Sequence, residues 1–408
     1  LLTHGHLDHC GRLPLLCKSG FRGIIYATPA TIDIALLILH DAAKIQKDDT
    51  DRENRKRKRL GLELVEPLFT QRDVEQVARQ FRPLNYDSWL EVVEDINIRF
   101  VDAGHILGSA SIDMIVTTDD SSKRLVFSGD LGQYDVPIMR DPAYLESADM
   151  VFVESTYGDR EHRSIEETVL EFERLIKTAV QNKGKILIPT FAVGRTQQIL
   201  YYLAKMFRSG SLPEIPVYLD SPMAIAATDL YAKHSSLMDE EAKLLQGRGE
   251  FLDDLTSLRL SISPEESQAL NNIPGPCIIL AGAGMCNAGR ILHHFRHNLD
   301  SADTVVIIVG YQTRGSIGRQ MIEGASSVKI FGETVRVRAT VKALGGFSAH
   351  GGRSDLLRWL QAMAGNAARI VITHGEPNSM IEFAHQIKEK FGSSSEMPRL
   401  GDVVELNE

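Results

Sequence analysis

Three histidines and an aspartate crowd into Thr3-His4-Gly5-His6-Leu7-Asp8-His9, near the start of the chain. Imidazole and carboxylate donors at this density suit one or two borderline divalent cations. His4 and His6, two apart, can reach a common ion from an extended turn. Asp8 and His9, on a following helical turn, can serve a second. Further polar residues end short apolar runs: His105 in Ala103-Gly104-His105-Ile106-Leu107-Gly108-Ser109-Ala110, Asp130 in Ser128-Gly129-Asp130-Leu131-Gly132, and Glu154 in Val153-Glu154-Ser155-Thr156-Tyr157-Gly158-Asp159. Paired cations lower the pKa of water and clamp oxyanions, which is the chemistry of hydrolysis.

These residues need a scaffold that gathers them. Apolar, β-branched runs at 96–101, 125–127, 150–153, 186–188, 217–219, 278–281, 305–309 and 370–372 read as buried strands, each closed by Gly, Pro or a polar turn. Helical patterns occupy 164–179, 195–207, 354–364 and 378–391. Strands alternating with helices indicate an α/β fold, whose ligands gather beyond the carboxyl ends of strands. Residues 392–398 read as a loop before a final short strand at 402–406.

The 408 residues suggest two or three domains at roughly 150 residues each. Apolar content of 43% with 24% charged excludes a mainly disordered or collagen-like chain. Four cysteines without C-x-x-C spacing point to a reducing, cytoplasmic setting. No apolar run reaches the ~18 residues of a bilayer span, so no membrane partner is expected. The chain opens on Leu1-Leu2-Thr3 without methionine, so the reading expects the true start to be missing. A net charge of −9 predicts no general affinity for nucleic acid, which must come from local patches or bound metal. One such patch is the charge-dense stretch 45–59, ending in Arg55-Lys56-Arg57-Lys58-Arg59; it reads as a solvated helix or as an RNA-phosphate or partner-docking surface.

The run H-x-H-x-D-H resembles the signature of the metallo-β-lactamase superfamily, and His105 and Asp130 follow in the order of that pattern. Residues 153–159 resemble motif A of the β-CASP nucleases. Phe347-Ser348-Ala349-His350-Gly351-Gly352 resembles motif B, and Thr373-His374-Gly375-Glu376-Pro377 resembles motif C. Between motifs A and B lies an α/β insertion containing Pro189-Thr190-Phe191-Ala192-Val193-Gly194-Arg195 and Asp220-Ser221-Pro222-Met223. The resemblance covers essentially the whole chain and is nearest to bacterial relatives of the nuclease subunit of the cleavage and polyadenylation factor.

The resemblance implies a metallo-β-lactamase αββα sandwich, residues 1–170 and 345–408, interrupted by an α/β β-CASP domain at 171–344. It also implies N-terminal strands, and an aspartate on one of them, that this sequence does not contain. It assigns His4, His6 and His105 to a first zinc, Asp8, His9 and His374 to a second, and Asp130 to a bridge between them. His350 is then the general acid and Glu154 the carboxylate that orients it and raises its pKa. Histidine at motif C accompanies RNA rather than DNA substrates in the family. The implied activity is a two-zinc ribonuclease acting on single-stranded RNA in RNA processing or decay, leaving 5′-phosphate and 3′-hydroxyl ends. Endonuclease and exonuclease modes share these motifs, and a homodimer is left open.

Substrate contacts are expected from Arg195, Gly284, Arg290 and Ser348. The loop Gly282-Ala283-Gly284-Met285-Cys286-Asn287-Ala288-Gly289-Arg290 fails as a dinucleotide fingerprint, because Asn287 takes the place of the third glycine. It reads as a backbone nest for an RNA phosphate or as a close-packed strand–helix turn. His293 and His297, four apart, read as surface histidines. Two other functions compete. A catalytically inactive scaffold subunit would have lost metal ligands, whereas all seven positions are intact here. Another hydrolase of the same fold is opposed by motifs A and B and by the insertion.

Overall fold

The computed structural model describes residues 1–118, 121–247 and 255–406. It resolves into two compact units. One comprises 1–135, 140–161 and 350–408, the other 136–139 and 162–349.

The first unit is built on a seven-stranded sheet in the order Ser395–Glu396, Arg369–Ile372, Met150–Val153, Ser122–Phe127, Ala110–Thr117, Ile96–Asp102, Leu90–Val93. The first four of these run parallel to one another, and the remaining pairings are antiparallel. Period-two alternation sorts the side chains between the faces. Val126, Val151, Ile370 and Ile372 pack with Trp359, Leu360 and Met363 of helix Arg353–Gly365 and with Phe383 and Ile387 of helix Pro377–Phe391. Leu125, Met150 and Val371 face the other way, beside Phe127 and Phe152, whose rings stack at 4.6 Å. A parallel pair, Ile25–Ala27 with Phe81–Pro83, stands apart from this sheet.

Helix Pro29–Arg59 begins on Thr28, whose hydroxyl accepts the Thr31 N–H at 3.2 Å, with proline in the first turn. Its buried residues, Ala30, Thr31, Ile34, Ala35, Ile38, Leu39 and Ala43, recur at helical spacing and stop at Ala43. Beyond that point the helix is polar. The stretch 45–59 is therefore the solvated end of a longer helix.

The second unit carries an all-parallel six-stranded sheet, ordered Leu258–Leu260, Val217–Asp220, Cys277–Ala281, Lys185–Pro189, Val305–Ile308, Thr340–Ala343. Cys277–Ala281 is buried at every position, as a central strand covered on both faces requires. Helices Ile165–Gln181, Arg195–Arg208, Pro222–Lys233 and Arg290–Asn298 alternate with these strands. Ser327–Ile330 and Glu333–Arg336 form a separate antiparallel hairpin.

One expectation fails: residues 402–406 form no strand. The edge position beside Ile370 and Val371 is taken by Ser395 and Glu396. The tail is instead fastened by Arg369, which donates to Glu396 Oε1 at 2.7 Å and to the Glu405 carbonyl at 2.6 Å.

Candidate metal centre

Four strands of the first unit end along one edge of the sheet, and each hands the chain to a polar residue. Ile96–Asp102 leads to His105, Ser122–Phe127 to Asp130, Met150–Val153 to Glu154 and Arg369–Ile372 to His374. The loops are stitched together by short bonds. Ser128 N–H donates to the Phe152 carbonyl at 2.8 Å, Glu154 N–H to Ser128 Oγ at 3.0 Å, and Ser155 N–H to the His374 carbonyl at 3.1 Å. A Cβ on Gly132 would lie 2.0 Å from the Gly104 carbonyl oxygen, so glycine lets the Asp130 and His105 loops meet.

The N-terminal donors arrive from the same edge. Ala110 N–H donates to the Thr3 carbonyl at 2.8 Å. His6 then caps helix Leu7–Cys10 through its carbonyl, which places Asp8 and His9 on the first turn. Gly5 passes so close to helix Pro29–Arg59 that a Cβ would meet Ile34 Cγ2 at 2.6 Å.

Seven donors converge. His6 Nδ1 lies 3.2 Å from His4 Nε2 and 3.1 Å from His105 Nε2. Asp130 Oδ2 lies 3.5 Å from His4 Nε2 and 3.7 Å from His105 Nε2. The other oxygen, Oδ1, is 3.3 Å from His9 Nε2 and 3.4 Å from His374 Nδ1. Asp8 Oδ2 completes that side, 3.6 Å from His374 Nε2 and 3.8 Å from His9 Nε2. Ligands at zinc distances of ~2.0–2.1 Å in a tetrahedron stand roughly 3.3 Å apart, so His4, His6, His105 and Asp130 have the spacing of a cation's first shell; Asp8, His9 and His374 form a looser second group, in which Asp8 meets the Nε2 of His374 and Asp130 its Nδ1. His9 Nε2 and Asp130 Oδ1 are buried and, among the described residues, lack a hydrogen-bond partner. Both orphaned atoms fit a metal ligand's role.

The electrostatics agree. Burial drives His4 and His105 well below the ordinary imidazole pKa and His6 down to about 4, against the pull of Asp130. These rings are neutral, the form that binds metal. Asp130 is buried, which alone would raise its pKa. The surrounding histidines, His4 foremost, reverse this and hold it well below the carboxylate range. His374 is pushed up to about 9: burial opposes its charge, but Asp8, Asp130 and Glu154 overcome that. Its backbone φ of 47° is a left-handed conformation unusual outside glycine, as found where function fixes the chain.

Next to this cluster, His350 Nδ1 lies 3.1 and 3.2 Å from the two oxygens of Glu154, and its Nε2 lies 4.0 Å from Asp130 Oδ2. Burial would lower the His350 pKa; the charge and hydrogen bond of Glu154 raise it instead.

The four expected substrate contacts all fall in the second unit. Arg195 is buried and hydrogen-bonds Gln198. Ser348, also buried, closes the turn Gly345–Phe347. The Gly284 carbonyl accepts from Gln312 Nε2 at 2.7 Å. Arg290, read as a phosphate contact, instead donates to Asp220 Oδ1 at 2.7 Å and to the carbonyls of Ser261 and Ile262 at 3.0 and 2.6 Å. The cause is the wholly buried Asp220 carboxylate, which Ser267 Oγ and His294 Nε2 also meet at 2.6 and 2.7 Å. The sequence reading missed this network. Its signal was His294 at a helical position flanked by Ile291 and Phe295, on the buried side that His293 and His297 do not share.

A metallo-β-lactamase superfamily profile matches residues 1–179, a β-CASP domain profile 196–321, and a profile for a Zn-dependent metallo-hydrolase RNA specificity domain 334–398. Ribonuclease TTHA0252 of Thermus thermophilus is 40% identical over 406 residues, spanning 99% of this chain and 87% of that protein. Transcription termination factor FttA of Methanosarcina mazei is 30% identical over 402 residues, 96% of this chain and 60% of that protein. The Pyrococcus horikoshii factor of the same name is 29% identical over 417 residues, 100% of this chain and 61% of that protein. The chain thus spans about three fifths of the archaeal factors. The donor cluster and the zinc-dependent profiles agree on a metal-binding site.

Proposed function

This chain belongs to the β-CASP ribonuclease family of the metallo-β-lactamase superfamily, and we propose that it hydrolyses phosphodiester bonds of single-stranded RNA at two zinc ions, leaving 5′-phosphate and 3′-hydroxyl ends. The observation that carries this reading is the division of Asp130, one oxygen toward His4 and His105 and the other toward His9 and His374. His4, His6 and His105 would hold one ion, Asp8, His9 and His374 the other, and Asp130 both. Zinc bound in this way lowers the pKa of water and offsets charge on a phosphate.

The remaining steps belong to the protein. Glu154 accepts the Leu131 and Thr156 backbone N–H groups at 2.7 and 3.2 Å, so its carboxylate is fixed before it meets His350. That contact holds the His350 ring by Nδ1 and turns Nε2 toward the donor cluster. From there it donates a proton to the departing 3′ oxygen. General-acid help of this kind is worth roughly 10²–10⁴ in rate. Residues 1–170 with 345–408 form the metallo-β-lactamase domain and 171–344 the β-CASP insertion, a division supported by compact-unit limits at 161/162 and 349/350. Four buried free thiols support a reducing, cytoplasmic location. Among the described residues no helix is long and apolar enough to cross a membrane.

The test uses purified protein with zinc, a 5′-labelled single-stranded RNA, a matched DNA strand and His350→Ala. Cleavage of RNA alone, lost in the variant, is the expected result, and the new ends are read by their sensitivity to phosphatase. Zinc-loaded protein that cuts neither strand would overturn the reading.

A further inference from the structure

We propose that the solvated end of helix Pro29–Arg59 is an RNA-phosphate anchor remote from the metal centre, formed by Arg55, Lys56, Lys58 and Arg59. The proposal rests on RNA being the substrate.

The helix treats its cations in two ways. Lys47 pairs with Asp51 at 3.1 Å, Arg52 with Asp49 at 2.5 Å and Arg57 with Glu53 at 3.2 Å. Among the described residues, Arg55, Lys56, Lys58 and Arg59 have no carboxylate partner, and all four are exposed. At about 100° per residue they fan across one half of the helix surface. Arg57 points the other way. It donates to the Glu63 carbonyl at 2.9 Å, while Asn54 Nδ2 donates to the Val65 carbonyl at 2.9 Å, so the following segment is folded back against the opposite side. A helix C-terminus favours cations in its last turn, which accounts for their position. It does not account for four of them without counter-charge on a chain of net charge −9.

The placement relative to the metal centre is fixed by the helix itself. Its start is tied to the His105 loop, since Thr28 and Thr31 hydroxyls both donate to the Gly108 carbonyl at 2.7 Å. Ile34 packs against Gly5, between His4 and His6. From Ile34 to Lys58 the axis runs about 36 Å. A strand engaged at the metals must be longer than a few nucleotides to touch the cations as well. Overall charge repels RNA, so a local, unneutralised cluster is what would hold a long strand while one of its bonds is cut.

The experiment compares wild type with the quadruple variant R55Q/K56Q/K58Q/R59Q, and with R55K/R59K, which keeps the charge. Binding of a fluorescent single-stranded RNA of about 30 nucleotides is followed by anisotropy in chelator, across a salt series. Cleavage of that RNA and of an RNA of about five nucleotides is measured separately with zinc. The expected result is a binding salt slope reduced by about 3, from ~0.7 per neutralised phosphate, with wild-type behaviour in R55K/R59K. KM for the long RNA should rise several-fold at unchanged kcat, with cleavage of the short RNA unaffected. Unchanged binding of the long RNA in the quadruple variant overturns the proposal. Unchanged RNA binding with lost binding to phosphatidylserine vesicles would reassign the patch, beside exposed Leu60, Leu62 and Leu64, to a lipid surface. If wild type cuts neither RNA, the ribonuclease reading fails, while the anisotropy series still decides the anchor.

Discussion

His350 Nδ1 stands within 3.2 Å of both oxygens of Glu154, and each of those oxygens also receives a backbone N–H. The carboxylate is fully buried, so its charge acts on the ring with little screening. His350→Ala should lower kcat by roughly 10²–10⁴ with zinc content intact. Glu154→Gln keeps the shape but removes the charge that raises the His350 pKa. An acid must be protonated, so activity falls as pH rises through its pKa. The alkaline limb of the pH–rate profile should therefore move to lower pH in Glu154→Gln. An unmoved limb would exclude Glu154 from tuning the acid.

Asp130 faces both donor groups, and its replacement should be felt by both. Asp130→Asn is expected to bind less than two zinc ions per chain, as read by elemental analysis after dialysis. His105→Ala should affect only one. Full occupancy in Asp130→Asn would contradict the bridge.

His374 gives the metal-free protein a distinctive pH response. Its folded pKa of about 9 lies above the ordinary histidine value near 6.5. The stability it contributes is therefore complete below pH ~6.5 and is lost as pH rises through about 9. Metal-free protein should melt at progressively lower temperature over that interval, and His374→Gln should flatten the decline. Zinc should remove it, because the ion requires the unprotonated ring and takes the proton's place.

In the second unit, Asp220→Ala would leave Arg290, His294 and Ser267 without their common acceptor. Breaking a buried charged network in this way costs about 3–5 kcal/mol. Denaturant unfolding followed by tryptophan-independent far-UV dichroism should show the loss. An effect below about 0.5 kcal/mol, the size expected of a surface site, would demote the network to decoration.

Much of the metal centre was legible because its chemistry is local. Residues 4–9 carry four donors within six positions, and His105, Asp130 and His374 each follow a short apolar run that the sheet turns into a strand. What escaped the reading escaped for physical reasons. Strand Ala110–Thr117 buries Ser111 and the salt-bridged Asp113, which interrupt its apolar run. The stretch 45–59 was read as a solvated helix, but the buried beginning of that helix, Ala30 to Ala43, went unread because so few polar residues interrupt it to mark the period. Arg290 and Asp220 are 70 positions apart, so nothing local foretold that one would neutralise the other. The expected strand at 402–406 had the right composition, but Ser395 and Glu396 hold the sheet edge.

The sheet of the first unit also imposes an order of assembly. Ser155 Oγ donates to the Thr373 carbonyl at 2.8 Å across 218 positions, and Val151 pairs with Ile370. Domains emerge from the ribosome amino end first. A nascent chain therefore displays His4 to Asp130 long before it possesses His350 or His374. Strand Arg369–Ile372, inserted beside Met150–Val153, therefore joins the parallel part of this sheet only after the whole intervening unit has been synthesised.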